Sequence, residues 1–172
     1  WYLSQLQFVD AMPGCASQFW HCDNTARGLT FLIPLVPTTA ENGPTELFPS
    51  SQRIWQSSAS DANDGGGEEP PGSDELGSPA ATGAAMKSFL NLISTAQLQD
   101  VAPVRAMVGP GAAIIYDSRT LHRGRTNLTS ARRPALVLRY DMLSTPPPGM
   151  GAVATSMVRV VGDIAELKIE GS

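Results

Sequence analysis

The segment Phe19-Trp20-His21-Cys22-Asp23 places an imidazole and a carboxylate two residues apart near the start of the chain. In an extended backbone the side chains alternate between two faces, so His21 and Asp23 would share one face and Trp20 and Cys22 the other. A shared face of this kind can hold a metal ion, although a polar loop or a capped turn is the simpler explanation of the pair alone. The pair therefore indicates a metal site only if the chain supplies a third ligand.

Short apolar runs separated by Gly and Pro surround this segment. The 16 Gly and 14 Pro among 172 residues favour many short strands joined by turns. Near-helical spacing of apolar residues predicts one short helix within residues 86–99. The pattern predicts a mainly β protein, a sandwich or jelly-roll barrel. Enrichment in β-branched and aromatic residues predicts strands over residues 2–9, 15–23, 29–36, 45–48, 104–108, 112–116, 133–142 and 152–161.

Residues 57–85 differ in composition from the rest of the chain. They consist mostly of Gly, Ser, Ala, Pro and acids, with six acids, no base, and Leu76 as the one large aliphatic residue. Such a segment buries too little apolar surface to offset the entropy lost on ordering, so we expect a flexible, disordered insertion. An inert linker is the simpler interpretation, and a loop at the mouth of a site is the alternative. The whole chain has a net charge of −4, but the residues outside the insertion contain ten acids and twelve bases and so carry a net charge of +2.

Several classes of protein are disfavoured by composition. No run approaches the roughly 18 consecutive apolar residues of a membrane span, so we expect no membrane association. Cys15 and Cys22 form no disulfide framework, and free thiols favour an intracellular location, cytoplasmic or organellar. A cluster of arginines raises nucleic-acid binding as a hypothesis, but aromatic platforms and lysines are missing, so a solvated or anion-recruiting face is simpler. The cluster holds half of the twelve basic residues: Arg119, Arg123, Arg125, Arg132, Arg133 and Arg139.

The second of the two histidines, His122, completes a set of two imidazoles and one carboxylate. Such a set binds Fe(II) on one side and leaves positions open for substrate and dioxygen. His122 alone would be interpreted as a hydrogen-bonded residue at a strand end. Arg133 begins an apolar strand eleven residues later, and a lone buried guanidinium needs an anion or a place at the rim. A cosubstrate carboxylate, held bidentately, would be such an anion.

Three segments together resemble the phytanoyl-CoA dioxygenase family of Fe(II)- and 2-oxoglutarate-dependent oxygenases. They are residues 18–23 (QFWHCD), the Asn42-Gly43-Pro44 turn with Pro49-Ser50-Ser51-Gln52, and residues 109–133 (GPGAAIIYDSRTLHRGRTNLTSARR). The resemblance covers roughly residues 13–56 and 103–142. It implies a double-stranded β-helix, the cupin-like form of the jelly roll. It also implies that His21, Asp23 and His122 are the catalytic iron ligands and that Arg133 binds the distal carboxylate of 2-oxoglutarate.

The resemblance further implies hydroxylation of a small organic substrate, with release of succinate and carbon dioxide. Related halogenases replace the metal-binding carboxylate with a small residue, so Asp23 favours oxygenation. The alternative is a non-catalytic jelly-roll binding module or degenerate paralogue, which shares the fold. The family places helices and early strands before the His-x-Asp motif, where this chain has twenty residues. We therefore expect residues 1–172 to form one oxygenase-like β-barrel domain that is incomplete at the N-terminus, with its insertion at about 57–85.

Overall fold

A computed structural model of the chain describes residues 1–55, 90–91, 93–94 and 97–145. These residues contain seven strands and a 3-10 helix at Ser51–Trp55. The strands are β1 (Tyr2–Ala11), β2 (Gly28–Pro34), β3 (Thr45–Leu47), β4 (Val104–Ala106), β5 (Ile114–Asp117), β6 (His122–Gly124) and β7 (Arg133–Asp141). The larger sheet has the order β1-β7-β2-β5 and the smaller sheet the order β4-β3-β6, and all pairs are antiparallel. The arrangement confirms the predicted mainly β, double-stranded β-helix architecture.

Most predicted strands have an observed counterpart. The predictions at 2–9, 29–36, 45–48, 104–108, 112–116 and 133–142 correspond to β1, β2, β3, β4, β5 and β7 within a few residues at each end. Four residues of the predicted helix, at positions 90–91 and 93–94, are helical, whereas the chain forms turns from Gln97 onward. The predicted insertion at 57–85 and the predicted strand at 152–161 lie outside the described residues.

The strand predicted over residues 15–23 is wrong. That segment is irregular and makes a single bridge, between His21 and His122. The physical reason is that the Gln18 side-chain oxygen accepts a hydrogen bond that a main-chain carbonyl would accept in a regular ladder. The Gln18 N–H donates to the Gly124 carbonyl at 2.8 Å, but the Gly124 N–H donates to Gln18 Oε1 at 2.7 Å instead of to a main-chain oxygen. The segment therefore joins β6 through one bridge rather than through a ladder.

The two faces of the larger sheet differ in polarity. One face, the outer face, carries a row of apolar register partners, one from each strand: Leu6, Leu138, Phe31 and Ile115. The inner face carries polar residues, because Thr30 lies between Arg139 on β7 and Tyr116 on β5. Alternation thus gives the outer face an apolar row, whereas the inner face combines the polar row at Thr30 with buried apolar residues such as Leu32 and Ala135.

The hydrophobic core lies beside the smaller sheet and the 3-10 helix. Its buried members are Phe48, Ile54, Ile93, Leu98 and Leu121. Ser51 ties the 3-10 helix to this core, because its hydroxyl donates to the Phe48 carbonyl and accepts the Leu121 N–H, each at 2.7 Å. Trp20 and Cys22 pack against the same cluster from the irregular segment. The core therefore holds in place the stretch that carries His21 and Asp23.

Candidate metal centre

The irregular segment and β6 bring the two histidines together through their backbones. The His21 N–H donates to the His122 carbonyl at 3.0 Å, and the His122 N–H donates to the His21 carbonyl at 2.8 Å. This reciprocal pair sets the imidazole rings side by side, with centroids 4.4 Å apart. The expected alternation of side chains is observed. Trp20 and Cys22 pack against the hydrophobic cluster, and His21 and Asp23 lie on the other side, close to His122.

Asp23 lies on the same side as both histidines. Its Oδ1 is 3.6 Å from Nε2 of His122, and the side chains are 17% and 8% exposed. One ligand atom from each of His21, Asp23 and His122 lies within 4.8 Å of the other two. The structure therefore brings all three predicted ligand residues to one point.

The hydrogen bonds of the imidazoles determine which nitrogen faces that point. Nδ1 of His21 lies 2.9 Å from the Phe19 carbonyl, and Nδ1 of His122 lies 3.0 Å from the Thr120 carbonyl. A carbonyl oxygen can only accept, so each Nδ1 carries a hydrogen, and in the neutral ring Nε2 is the nitrogen with the free lone pair. Nε2 of His122 thus faces a carboxylate oxygen with no hydrogen between them, an arrangement that a cation would stabilise.

Burial keeps His122 in its neutral form. Desolvation lowers its pKa below the ordinary value, and this effect outweighs the Asp23 carboxylate, which acts in the opposite direction. Tyr116 covers the ring, with centroids 4.9 Å apart. Burial also raises the pKa of the nearby Cys22 thiol to about 12, so that this group stays protonated at neutral pH. The donor set is therefore two imidazoles, each with Nδ1 bonded to a carbonyl, and one carboxylate.

Arg133, the fourth predicted site residue, begins β7 and is 5% exposed. Its Nε donates to the Asn42 carbonyl at 3.1 Å. Within the part of the chain that the structure describes, no carboxylate lies within 4.0 Å of its guanidinium, and burial lowers its pKa. Alternation along β7 puts Arg133 on the same face as Arg139, whose Nη1 donates to the Asp23 carbonyl at 3.2 Å.

Sequence reasoning missed a polar network that supports Asp23. The Thr30 hydroxyl donates to Asp23 Oδ2 at 2.6 Å, and the Asp23 N–H donates to the Ser118 carbonyl at 2.9 Å. Arg139 is held in turn by Asp141, which is fully buried and also accepts from Ser4 and from Asn24. A polar residue within an apolar strand, such as Thr30 between Leu29 and Phe31, is the one sequence signal that pointed to this network.

The remaining arginines of the 119–139 cluster form ion pairs with carboxylates of the chain itself. Arg123 and Arg125 contact the buried Glu46 at 2.8 and 3.3 Å, and Arg105 contacts its other oxygen at 3.1 Å. The other pairs are Arg119 with Asp117, Arg132 with Asp10, and Arg139 with Asp141. Five of the six arginines are thus partnered by acids, and Arg133 differs from them.

Several solved structures have a fold similar to that of this chain. EctD from S. alaskensis, crystallised with 2-oxoglutarate and 5-hydroxyectoine, matches with a TM-score of 0.55 and 19% identity, over 84% of this chain and 45% of that chain. The epimerase SnoN from nogalamycin biosynthesis, solved with Fe3+, α-ketoglutarate and nogalamycin RO, matches with a TM-score of 0.57 and 16% identity, over 99% and 58%. AviO1 from Streptomyces viridochromogenes Tue57 matches with a TM-score of 0.53 and 19% identity, over 83% and 51%.

These likenesses concern the fold, and the chain spans about half the length of the structures that it matches. No curated protein sequence matched the chain. Among the described residues, no helix is long and apolar enough to cross a bilayer. A family model described as phytanoyl-CoA dioxygenase matches residues 2–135, which include β1 through the start of β7 and all four predicted site residues. On this match, the chain belongs to the phytanoyl-CoA dioxygenase family.

Proposed function

We propose that this chain is an Fe(II)- and 2-oxoglutarate-dependent oxygenase that hydroxylates a small organic molecule with dioxygen. The observation that carries the proposal is the convergence of His21, Asp23 and His122, with both imidazoles presenting Nε2. Family membership and the fold shared with enzymes solved with iron and 2-oxoglutarate support it. The proposed products are the hydroxylated substrate, succinate and carbon dioxide.

The donor set fits a ferrous ion. His21, Asp23 and His122 would hold it with two neutral nitrogens and one hard oxygen, the set typical of non-haem Fe(II) oxygenases. When bound, iron and 2-oxoglutarate supply the oxidising chemistry with dioxygen, and the protein supplies orientation and exclusion of water. The carbonyls of Phe19 and Thr120 hold the ring hydrogens at Nδ1, which leaves Nε2 of each ring as the nitrogen that would bind the metal.

Arg133 is the proposed partner of the distal carboxylate of 2-oxoglutarate. It is buried, it lacks a carboxylate partner among the described residues, and it shares a face of β7 with the residue that contacts Asp23. A buried guanidinium without an anion is costly, and a planar fork matches a carboxylate with two parallel hydrogen bonds. Arg133 uses Nε to donate to the Asn42 carbonyl, and its two terminal nitrogens would be the donors to the 2-oxoglutarate carboxylate.

Binding measurements on three proteins test the proposal. Anaerobic calorimetry would titrate Fe(II), and then 2-oxoglutarate, into the wild type, His122→Ala and Arg133→Gln. We expect His122→Ala to lose both ligands and Arg133→Gln to keep iron but bind 2-oxoglutarate at least about tenfold more weakly, because a charge-assisted hydrogen bond contributes roughly 1.5–3 kcal/mol. Arg132→Gln is the matched control, because its side chain is 62% exposed and pairs with Asp10.

Two results would contradict the proposal. If the wild type binds no Fe(II), or if 2-oxoglutarate affinity is independent of iron, the chain is a jelly-roll binding module rather than an oxygenase. If Arg133→Gln and Arg132→Gln bind 2-oxoglutarate equally, the role of Arg133 is refuted. Formation of succinate from 2-oxoglutarate by the iron-loaded wild type, aerobically and without added substrate, would provide an independent check of the activity.

A further inference from the structure

The two carboxylate oxygens of Asp23 have different environments. Oδ1 faces Nε2 of His122 at 3.6 Å, towards the point where the three ligand residues meet. Oδ2 accepts a hydrogen bond from the Thr30 hydroxyl at 2.6 Å. Among the described residues this is the hydrogen bond that the Asp23 carboxylate receives. One oxygen is therefore committed to the protein and the other is left for a cation.

The surroundings of Thr30 direct its one proton to Asp23. A hydroxyl donates once and accepts up to twice. Thr30 is fully buried, and its oxygen lies 3.1 Å from the Ser118 hydroxyl. Because the donation goes to the carboxylate, Ser118 serves as the donor to Thr30. The Thr30 proton is thus held towards Asp23.

The position of Thr30 in the sheet makes this contact rigid. β2 lies between β7 and β5, and Thr30 is paired in register with residues on both strands, Arg139 and Tyr116. A β-branched side chain has few rotamers on such a strand. The Asp23 backbone is fixed separately, because its N–H donates to the Ser118 carbonyl and its carbonyl accepts from Arg139. Side chain and backbone of Asp23 are therefore held from different directions.

We propose that Thr30 is a positioning residue that restrains Asp23 to bind the metal through Oδ1 alone. This inference rests on the proposed function, since it assumes a metal held by His21, Asp23 and His122. Thr30 does not touch the metal. Its hydrogen bond holds Oδ2 turned towards β2, so that Oδ1 is the oxygen that Asp23 presents to the other two ligand residues. Partners of ligating carboxylates commonly change metal affinity 10- to 100-fold when they are removed.

The test compares three threonine variants by the affinity of the purified full chain for Co(II), a stand-in for Fe(II) that is stable in air. Thr30→Val keeps the shape and removes the hydroxyl, and we expect Co(II) binding 10- to 100-fold weaker. Thr30→Ser keeps the hydroxyl, and we expect it to restore affinity to within about threefold of the wild type. Thr38→Val is the matched control, because Thr38 is also buried but lies outside the network, and its affinity should equal that of the wild type.

The visible absorption of bound Co(II) is the second readout, because its intensity depends on coordination number. We expect a changed spectrum for Thr30→Val and the wild-type spectrum for Thr30→Ser. Equal affinity and spectrum for Thr30→Val and wild type would overturn the role of Thr30, while a wild type that binds no Co(II) would overturn the proposed metal centre itself. If Thr30→Val does not fold, Thr30→Ala, which removes the hydroxyl without adding a methyl group in its place, is held to the same expectations.

Discussion

Replacement of Gly28 by alanine would test how tightly Ser118 and Asp141, two members of the polar network that supports Asp23, are packed. A Cβ at Gly28 would lie 2.6 Å from Ser118 Oγ and 2.7 Å from Asp141 Oδ1. Neither atom can move freely, because both side chains are fully buried and Asp141 Oδ1 accepts from Asn24 at 2.8 Å. Overpacking costs about 1–3 kcal/mol and loss of one hydrogen bond about 1 kcal/mol, so we expect destabilisation of about 2–4 kcal/mol.

Thermal unfolding of the metal-free protein measures this effect. For a chain of this size the expected loss corresponds to a decrease in Tm of roughly 5–15 °C. Gly109→Ala is the control, because a Cβ there meets nothing within 4 Å, and alanine should leave Tm unchanged or raise it slightly. Equal Tm values for Gly28→Ala and Gly109→Ala would refute the close packing around Ser118 and Asp141, and with it the rigidity attributed to the network.

Three further predictions concern other parts of the chain. Burial acts to raise the pKa of Glu46, but hydrogen bonds from Arg123 and Arg105 outweigh it and the pKa is lowered. Its ionised form therefore stabilises the fold above its unfolded pKa, and this contribution is lost as pH falls through the folded pKa. Glu46→Gln should cost about 1–3 kcal/mol at pH 7 in urea unfolding, and the difference should shrink as pH falls through the lowered pKa; a difference independent of pH would contradict the pairing. Leu121→Ala, at a side chain 1% exposed, should cost about 2–5 kcal/mol in the same assay, and a loss below 1 kcal/mol would place Leu121 outside the core. Trp55→Phe removes the donor to the Arg119 carbonyl at 3.0 Å and should cost about 1 kcal/mol, whereas an unchanged midpoint would show that this bond adds nothing.

Local composition was sufficient to predict most of the strands. β2, β5 and β7 are dense in aliphatic and aromatic residues and bounded by Gly or Pro, so their extended state follows from nearby residues. The segment 15–23, also predicted to be a strand, forms no ladder, because the Gln18 side-chain oxygen replaces a backbone acceptor opposite Gly124. That exchange joins residues over a hundred positions apart, and no local pattern contains it.

The three residues of the candidate metal centre could be predicted from the sequence. The hydrogen bonds that hold Asp23 in place could not. The chain has only two histidines, and Asp23 lies two residues from one of them, so the three residues could be combined without a structure. Thr30 is an ordinary strand residue by composition, and its hydroxyl acquires a role only from the register of β2 against β5 and β7. The sequence thus indicates which residues could bind the metal, whereas the orientation of the Asp23 carboxylate depends on how β2 is aligned with β5 and β7.

The alternation at residues 20–23 has a consequence for how this protein tolerates change in length. Trp20 and Cys22 face the hydrophobic cluster, and His21 and Asp23 face the candidate metal centre. A one-residue insertion or deletion between His21 and Asp23 would turn one of these two side chains towards the hydrophobic cluster and an apolar side chain towards the candidate metal centre. A substitution at Cys22 that keeps its volume costs at most packing energy, whereas a change in the number of residues reverses the alternation. We therefore expect the spacing of this motif to be constrained more strictly than the identity of Cys22.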